Sequence, residues 1–449
     1  MRIASPVNLG MVNIPSGRWT AAGARAKEAR LSGLRLFPEV ALAGVLIVLA
    51  GFSGCASRSA IAPGAQPQSF PPEQVAKGAA LAHLGNCLGC HTAEGGRPYA
   101  GGTPIKTPFG TIYGTNITPD PDTGIGRWPL EAFARAMREG VDREGRHLYP
   151  AFPYDHFTKV TDDDIAALYA FLMTREPVQQ ENRASRVPIP RAFVGVWKSR
   201  YFTPGVYQPD RARSAEWNRG AYLVQGLGHC GACHTPRNKL AAEEKGAAFA
   251  GGEVEGWHAP ALNASSPSPV PWTVDALQGY LRRGIAEQHA MSAGPMQEVT
   301  HDLSHVSDEA LRAIATYIVS LDTRSGEERR QHAEAALERA RKAKAIQGNA
   351  LYDGACADCH NRGRAEEGGA LELPLGTALT LPTPRNLAYI IRDGIVPPEG
   401  ERGAWMPAFA GMLTDEQLTD LLNYLRALSG EPAWPDVARE VRNILRGDQ

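Results

Sequence analysis

The chain has 449 residues, with Lys+Arg 47 against Asp+Glu 48 and a formal net charge of -1. That balance excludes the strongly basic domain of a nucleic-acid binder, and 43% hydrophobic with 21% charged residues excludes a multi-span membrane protein. The length implies about two to four domains, and 47 Gly with 34 Pro predict long ordered loops joining short helices.

In chain order, the first element is an export segment, residues 1–55. Arg18, Arg25, Lys27, Arg30 and Arg35 precede an uncharged apolar run from Val40 to Phe52, shorter than a comfortable bilayer span and suited to a signal-peptide core. The run ends Phe52-Ser53-Gly54-Cys55, which resembles a bacterial lipobox and makes Cys55 the candidate for lipidation. The alternative is an uncleaved short anchor. Both readings put the rest of the chain outside the cytoplasm. Residues 56–72, rich in Ala, Pro, Gln and Ser, read as a flexible tether.

The other six cysteines fall in three identical patterns: Cys87-Leu-Gly-Cys90-His91, Cys230-Gly-Ala-Cys233-His234 and Cys356-Ala-Asp-Cys359-His360. C-x-x-C-H is the attachment signature of c-type haem. Two thiols three positions apart on one turn reach the two vinyl groups of a haem edge, and the next residue places an imidazole beneath the iron. Zinc would need four converging ligands from paired knuckles, and a thioredoxin-like dithiol would need a βαβ context that is absent. Three covalently bound haem c groups are the reading, with His91, His234 and His360 as proximal ligands.

Each motif ends a short amphipathic helix and is followed by a second helix closing on Arg and Gly, around Arg138 and Gly140, Arg283 and Gly284, and Arg392 and Gly394. A third helix follows, opened by Thr161, Ser307 or Thr414 with acids in its first turn. Tyr169, Tyr317 and Tyr424 read as matching positions in these last helices. The fold class is therefore all-α, with three tandem haem domains at 73–180, 213–323 and 346–430. Residues 181–212 form an apolar linker, 324–345 a charged helical spacer and 431–449 a C-terminal tail.

The layout resembles three class I cytochrome c domains. With the stretch Thr107-Pro-Phe-Gly-Thr-Ile-Tyr-Gly-Thr-Asn-Ile-Thr-Pro-Asp-Pro-Asp-Thr-Gly-Ile-Gly126, it resembles the triheme cytochrome c subunits of bacterial membrane-bound dehydrogenases. The resemblance implies electron transfer from a catalytic dehydrogenase subunit, with flavin or with molybdenum and iron–sulfur centres, to ubiquinone or a terminal oxidase. It also implies a position at the periplasmic face of the inner membrane, held there by a lipid anchor or the N-terminal segment. The alternative is a haem enzyme in its own right, peroxidase-like or thiosulfate-oxidising, working through an open first haem.

The sixth ligands follow from the repeats. Twelve residues after the helix-ending glycine stand Met296 (from Gly284) and Met406 (from Gly394), each beside a proline, and a loop thioether opposite His gives a His/Met pair. Met291 and Met412 lack that register and read as packing residues. In the first repeat, Gly140 plus twelve is Phe152, which cannot bind iron. His156 is the preferred substitute and His147 the second. Asp120 and Asp122 read as turn formers, because their spacing falls short of an EF-hand. His83 and His229, just before their motifs, carry no assigned role.

Overall fold

A computed structural model describes residues 58–64, 69–343, 349–360, 371, 373–397 and 405–446. The export segment, Cys55 included, lies outside the described residues.

The helices gather in three groups, each holding one C-x-x-C-H turn. The first comprises α1 (Pro72–Leu84), α2 (Leu130–Glu139) and α3 (Asp162–Met173). A helix α4 (Arg191–Tyr201) leads to the second group: α5 (Ala215–Gln225), α6 (Val274–Arg283), α7 (Pro295–Leu303) and α8 (Asp308–Val319). After the charged helix α9 (Gly326–Ala343) come α10 (Ala350–Ala355), α11 (Arg385–Asp393), α12 (Asp415–Leu428) and α13 (Val437–Arg446). None of the described helices is long and apolar enough to cross a membrane.

The helix ends follow from local chemistry. Thr161, Ser307 and Thr414 accept the backbone N–H of Asp164, Ala310 and Gln417, supplying partners for otherwise orphaned donors. Gly140 (φ 58°) and Gly284 (φ 73°) close α2 and α6 in the left-handed region that side chains avoid.

Two helix pairs make the central crossings, α1 against α3 and α5 against α8. Both depend on a glycine. A Cβ on Gly78 would lie 2.0 Å from Ala167 O and 2.7 Å from Phe171 Cβ; one on Gly220 would lie 1.9 Å from Ala313 O and 2.8 Å from Tyr317 Cβ. The counterpart of Tyr317 is thus Phe171, not Tyr169. Counting ten residues from the caps Thr161, Ser307 and Thr414 gives Phe171, Tyr317 and Tyr424, so the aromatic match at Tyr169 stands two residues early.

One further expectation, on the C-terminal tail, is corrected. The described structure is mainly helical, in keeping with the expected class. Three antiparallel hairpins are present: Pro104–Thr107 with Gly110–Tyr113, Gly252–Val254 with Trp257–Ala259, and Ile285–Ala286 with Ala290–Met291. The expected tail from 431 contains α13, whose Val437, Val441 and Ile444 are buried in the third group's core with Leu421, Leu425 and Trp434.

The first two groups share one continuous apolar core, running from Leu81, Phe133 and Leu168 to Leu223, Leu277 and Ile314. Polar contacts cross the same seam: Tyr222 Oη donates to Asp164 Oδ2 at 2.5 Å, and His83 Nδ1 lies 3.0 Å from Asp302 Oδ1. The third group has a separate core. It meets the second through Trp257, whose ring centre is 5.0 Å from that of Tyr389, and through reciprocal bonds between the His258 backbone and the Asn386 side chain, both 2.8 Å.

Candidate haem sites

The first motif forms a short helix over Cys87–His91, capped by Asn86 in the left-handed region with its side chain accepting from Gly89 N. In the second, Cys230 caps the turn Gly231–His234; in the third, Cys356 precedes Ala357–His360. All six cysteines are free. Burial, reinforced by neighbouring thiols or carboxylates, pushes Cys87 up to about 12 and Cys90 up to about 11; burial and Cys233 push Cys230 up to about 12. Each is held as a thiol, the form whose S–H adds across a vinyl group to leave a thioether.

The three motif histidines share one arrangement. His91 Nδ1–H donates to Thr115 O at 2.6 Å, His234 Nδ1–H to Pro260 O at 2.7 Å, and His360 Nδ1–H to Leu371 O at 3.4 Å. A carbonyl only accepts, so the hydrogen sits on Nδ1 and Nε2 presents its lone pair. Burial holds all three below the usual imidazole value, which favours the neutral ring. A carbonyl behind a ligating imidazole fixes its tautomer and orientation.

Opposite the third motif lies an apolar cavity of about 330 Å³ whose lining includes Cys356, Cys359, His360, Leu379, Ile391 and Met406. Thiols, imidazole and thioether thus face one apolar space, the donor set and surroundings that a covalently attached haem requires. In the second group, Met296 stands in the first turn of α7, partly buried with Cys230 against the shared core. The residues present fit the group.

The structure turns His156 away from the role expected of it. Its Nδ1 faces Gln225 O at 3.0 Å and its Nε2 faces Glu243 Oε1 at 2.7 Å, both in the second group. Neither nitrogen is free for a metal. Asp155, His156 and Glu243 bring three ligand atoms within 4.8 Å of one another, and the ion pair with its hydrogen bonds accounts for that cluster. His147, the second choice, also faces elsewhere: its Nδ1 is 3.2 Å from Lys198 Nζ on α4. Phe152 occupies the distal loop, its ring centre 5.3 Å from that of Phe157.

Sequence reasoning missed one contributor. Ala290 and Met291, from the second group, line the cavity of the third site. By sequence Met291 reads as a packing residue of its own repeat, and no pattern within one repeat could assign it to the next. The structure also orients His229: it faces Leu227 O through Nδ1 at 2.8 Å. Burial first, then the nearby His156, hold it down to about 4.

Comparison with known proteins agrees with this chemistry. The family described as "Cytochrome c" matches residues 75–176, and "Cytochrome C oxidase, cbb3-type, subunit III" matches residues 343–425. A nicotinate dehydrogenase subunit of Pseudomonas putida is 43% identical over 415 residues, 90% of this chain; the chain spans only 35% of that protein's length. The gluconate 2-dehydrogenase cytochrome c subunit of Pantoea cypripedii is 37% identical over 84% of this chain and 90% of its own length. The cytochrome c subunit of the quinone alcohol dehydrogenase of Gluconobacter oxydans is 36% identical over 81% and 80%.

Proposed function

Because the chain belongs to the family of cytochrome c subunits of membrane-bound dehydrogenases, whose work is electron transfer from a partner dehydrogenase, we propose that it does this with three haem c groups in three tandem cytochrome c domains. The observation that carries the count is the recurrence of one local design. Two free thiols on a turn are followed by an imidazole whose Nδ1–H donates to a backbone carbonyl, at His91, His234 and His360 alike. Bound haem supplies one-electron storage at each site.

The chain's own residues do the rest. Cys87 and Cys90, Cys230 and Cys233, and Cys356 and Cys359 anchor each group covalently and fix its orientation. The three histidines would hold the iron through Nε2, and Met296 and Met406 would each supply a thioether sulfur in the second and third sites, a pairing that raises the reduction potential. The largely apolar lining of the third site would lower the solvent reorganisation that accompanies a change of charge there.

On this reading a separate catalytic subunit, flavin- or molybdenum-dependent, delivers electrons, and ubiquinone or a terminal oxidase removes them. The 43% identity to a nicotinate dehydrogenase subunit makes a dehydrogenase of that kind the first partner to test. The positively flanked apolar run and Cys55 support export and lipid anchoring at the periplasmic face of the inner membrane. The likeness to dehydrogenase cytochrome subunits favours an electron carrier over the alternative of a peroxidase-like or thiosulfate-oxidising enzyme. Two measurements test the proposal. Full-length protein made with a cytochrome c maturation system should contain three covalently bound haems per chain. Native purification should recover a dehydrogenase that reduces them. Fewer haems, or no reduction by the co-purified enzyme, would refute it.

A further inference from the structure

The first site differs from the other two in its distal loop, and backbone hydrogen bonds support the register over the first eight residues. After α2, Leu148 N–H donates to Gly140 O at 2.8 Å; after α6, Ser292 N–H donates to Gly284 O at 2.7 Å. Both donors stand eight residues past their glycine (148 − 140 and 292 − 284), and four residues further on are Phe152 and Met296. By that count a phenyl ring, just ahead of the short helix Tyr154–Phe157, answers to the thioether in the first turn of α7. Phe152 packs against the same core as Cys87 and Leu88.

No other thioether or imidazole of the first group, the motif's own His91 aside, stands in the Gly140-plus-twelve register. Met137 and Met173 are buried core residues. His147 faces Lys198; His83 bonds Asp302 and stacks on His305 with ring centres 4.5 Å apart; His156 has both nitrogens bonded. We propose that the first haem has no side chain of its own at the sixth coordination position, and that this position takes a small uncharged ligand. The inference rests on the reading that Cys87, Cys90 and His91 hold a haem. The Phe152–Phe157 pair makes this stretch of the distal loop aromatic and apolar, so a neutral diatomic molecule is favoured over an anion, which would lose its hydration without compensation. Binding forms one coordination bond between ligand and ferrous iron; nothing is oxidised or reduced.

The probe is carbon monoxide, titrated into the dithionite-reduced full chain after its haem content has been measured chemically. The expected result is one carbon monoxide bound per three haems. Phe152→Met should abolish that binding and raise the ferric thioether-to-iron absorption band from two haem equivalents to three. His156→Ala should leave the stoichiometry at one, so the result does not hang on how well one variant folds. Binding at none or at all of three chemically counted haems would overturn the inference while leaving the electron-carrier reading intact. So would a bis-imidazole signal in the ferric paramagnetic resonance spectrum, which would point to His229, whose ring centre is 5.6 Å from that of Phe157. A haem count below three would instead overturn the reading beneath it.

Discussion

The bond between His156 and Glu243 ties the first group to the second, and its strength should depend on pH in a way the geometry dictates. The imidazole sits between two acceptors, Gln225 O and Glu243 Oε1. Only the imidazolium carries hydrogen on both nitrogens, so only the charged form satisfies both. Burial alone would lower the histidine, but the hydrogen bond and charge of Glu243 outweigh it and the net shift is upward; Glu243, which burial would raise, is held down by His156. Glu243→Gln removes the charge while keeping the shape. In the variant the amide N–H donates to a neutral Nε2, and Nδ1–H still donates to Gln225 O.

The loss is that of a hydrogen bond between charged partners, about 1.5–3 kcal/mol. It stays below the larger cost of stranding a buried ion, because the ring can shed its proton. The sign follows by linkage. A histidine raised in the folded state contributes stability that is fully present below the unfolded value of 6.5 and is lost as pH rises through the folded value. The lowered carboxylate contributes above 4.5 and loses that contribution as pH falls through its folded value. Denaturant unfolding of the haem-loaded chain should therefore show the full gap between wild type and variant near pH 5.5, narrowing well above neutrality. An equal gap at pH 5.5 and pH 9 would refute the reasoning.

Gly220→Val must push α5 off α8, because its Cβ would fall 1.9 Å from Ala313 O; a loss of about 1–3 kcal/mol or more is expected in the unfolding midpoint. Gly246→Ala, with nothing within 4 Å, should change nothing. Tyr154 is fully buried with no hydrogen-bond partner for its hydroxyl, so Tyr154→Phe should hold or raise stability, by up to about 1–3 kcal/mol; a clear loss would reveal a hidden partner. Trp257→Ala removes the ring that joins Tyr389 to the loop at Gly294, and limited proteolysis should then release the third group earlier than in wild type.

What could be read from the sequence was whatever a few neighbouring residues decide. The haem turns need five residues, the caps Thr161, Ser307 and Thr414 need four, and the left-handed stops at Gly140 and Gly284 need one. Such features repeat, and repetition singled out Met296, partly buried against the shared core, and Met406, which lines the third cavity. What failed depended on distant partners. His156 looked available because Glu243 lies 87 residues away, and proximity to Phe152 along the chain said nothing about which way the ring turned. Met291 closes a site belonging to the next repeat. The Tyr169 match failed for a local reason: counting from the first visible aromatic, rather than from the cap, slipped the helix by two residues.

The continuous core beneath the first two groups has a mechanical consequence. Tunnelling rates fall exponentially with the gap crossed, so a hinge between two redox centres would make each transfer wait for a favourable swing. Leucines and aromatics interleaved from Leu81 to Ile314 leave no hinge there. On the proposed three-haem reading, the spacing between the first two sites would be set at folding, whereas the third site, joined through Trp257 and Tyr389, a few polar bonds and the Ala290–Met291 strand, would be where motion could throttle transfer.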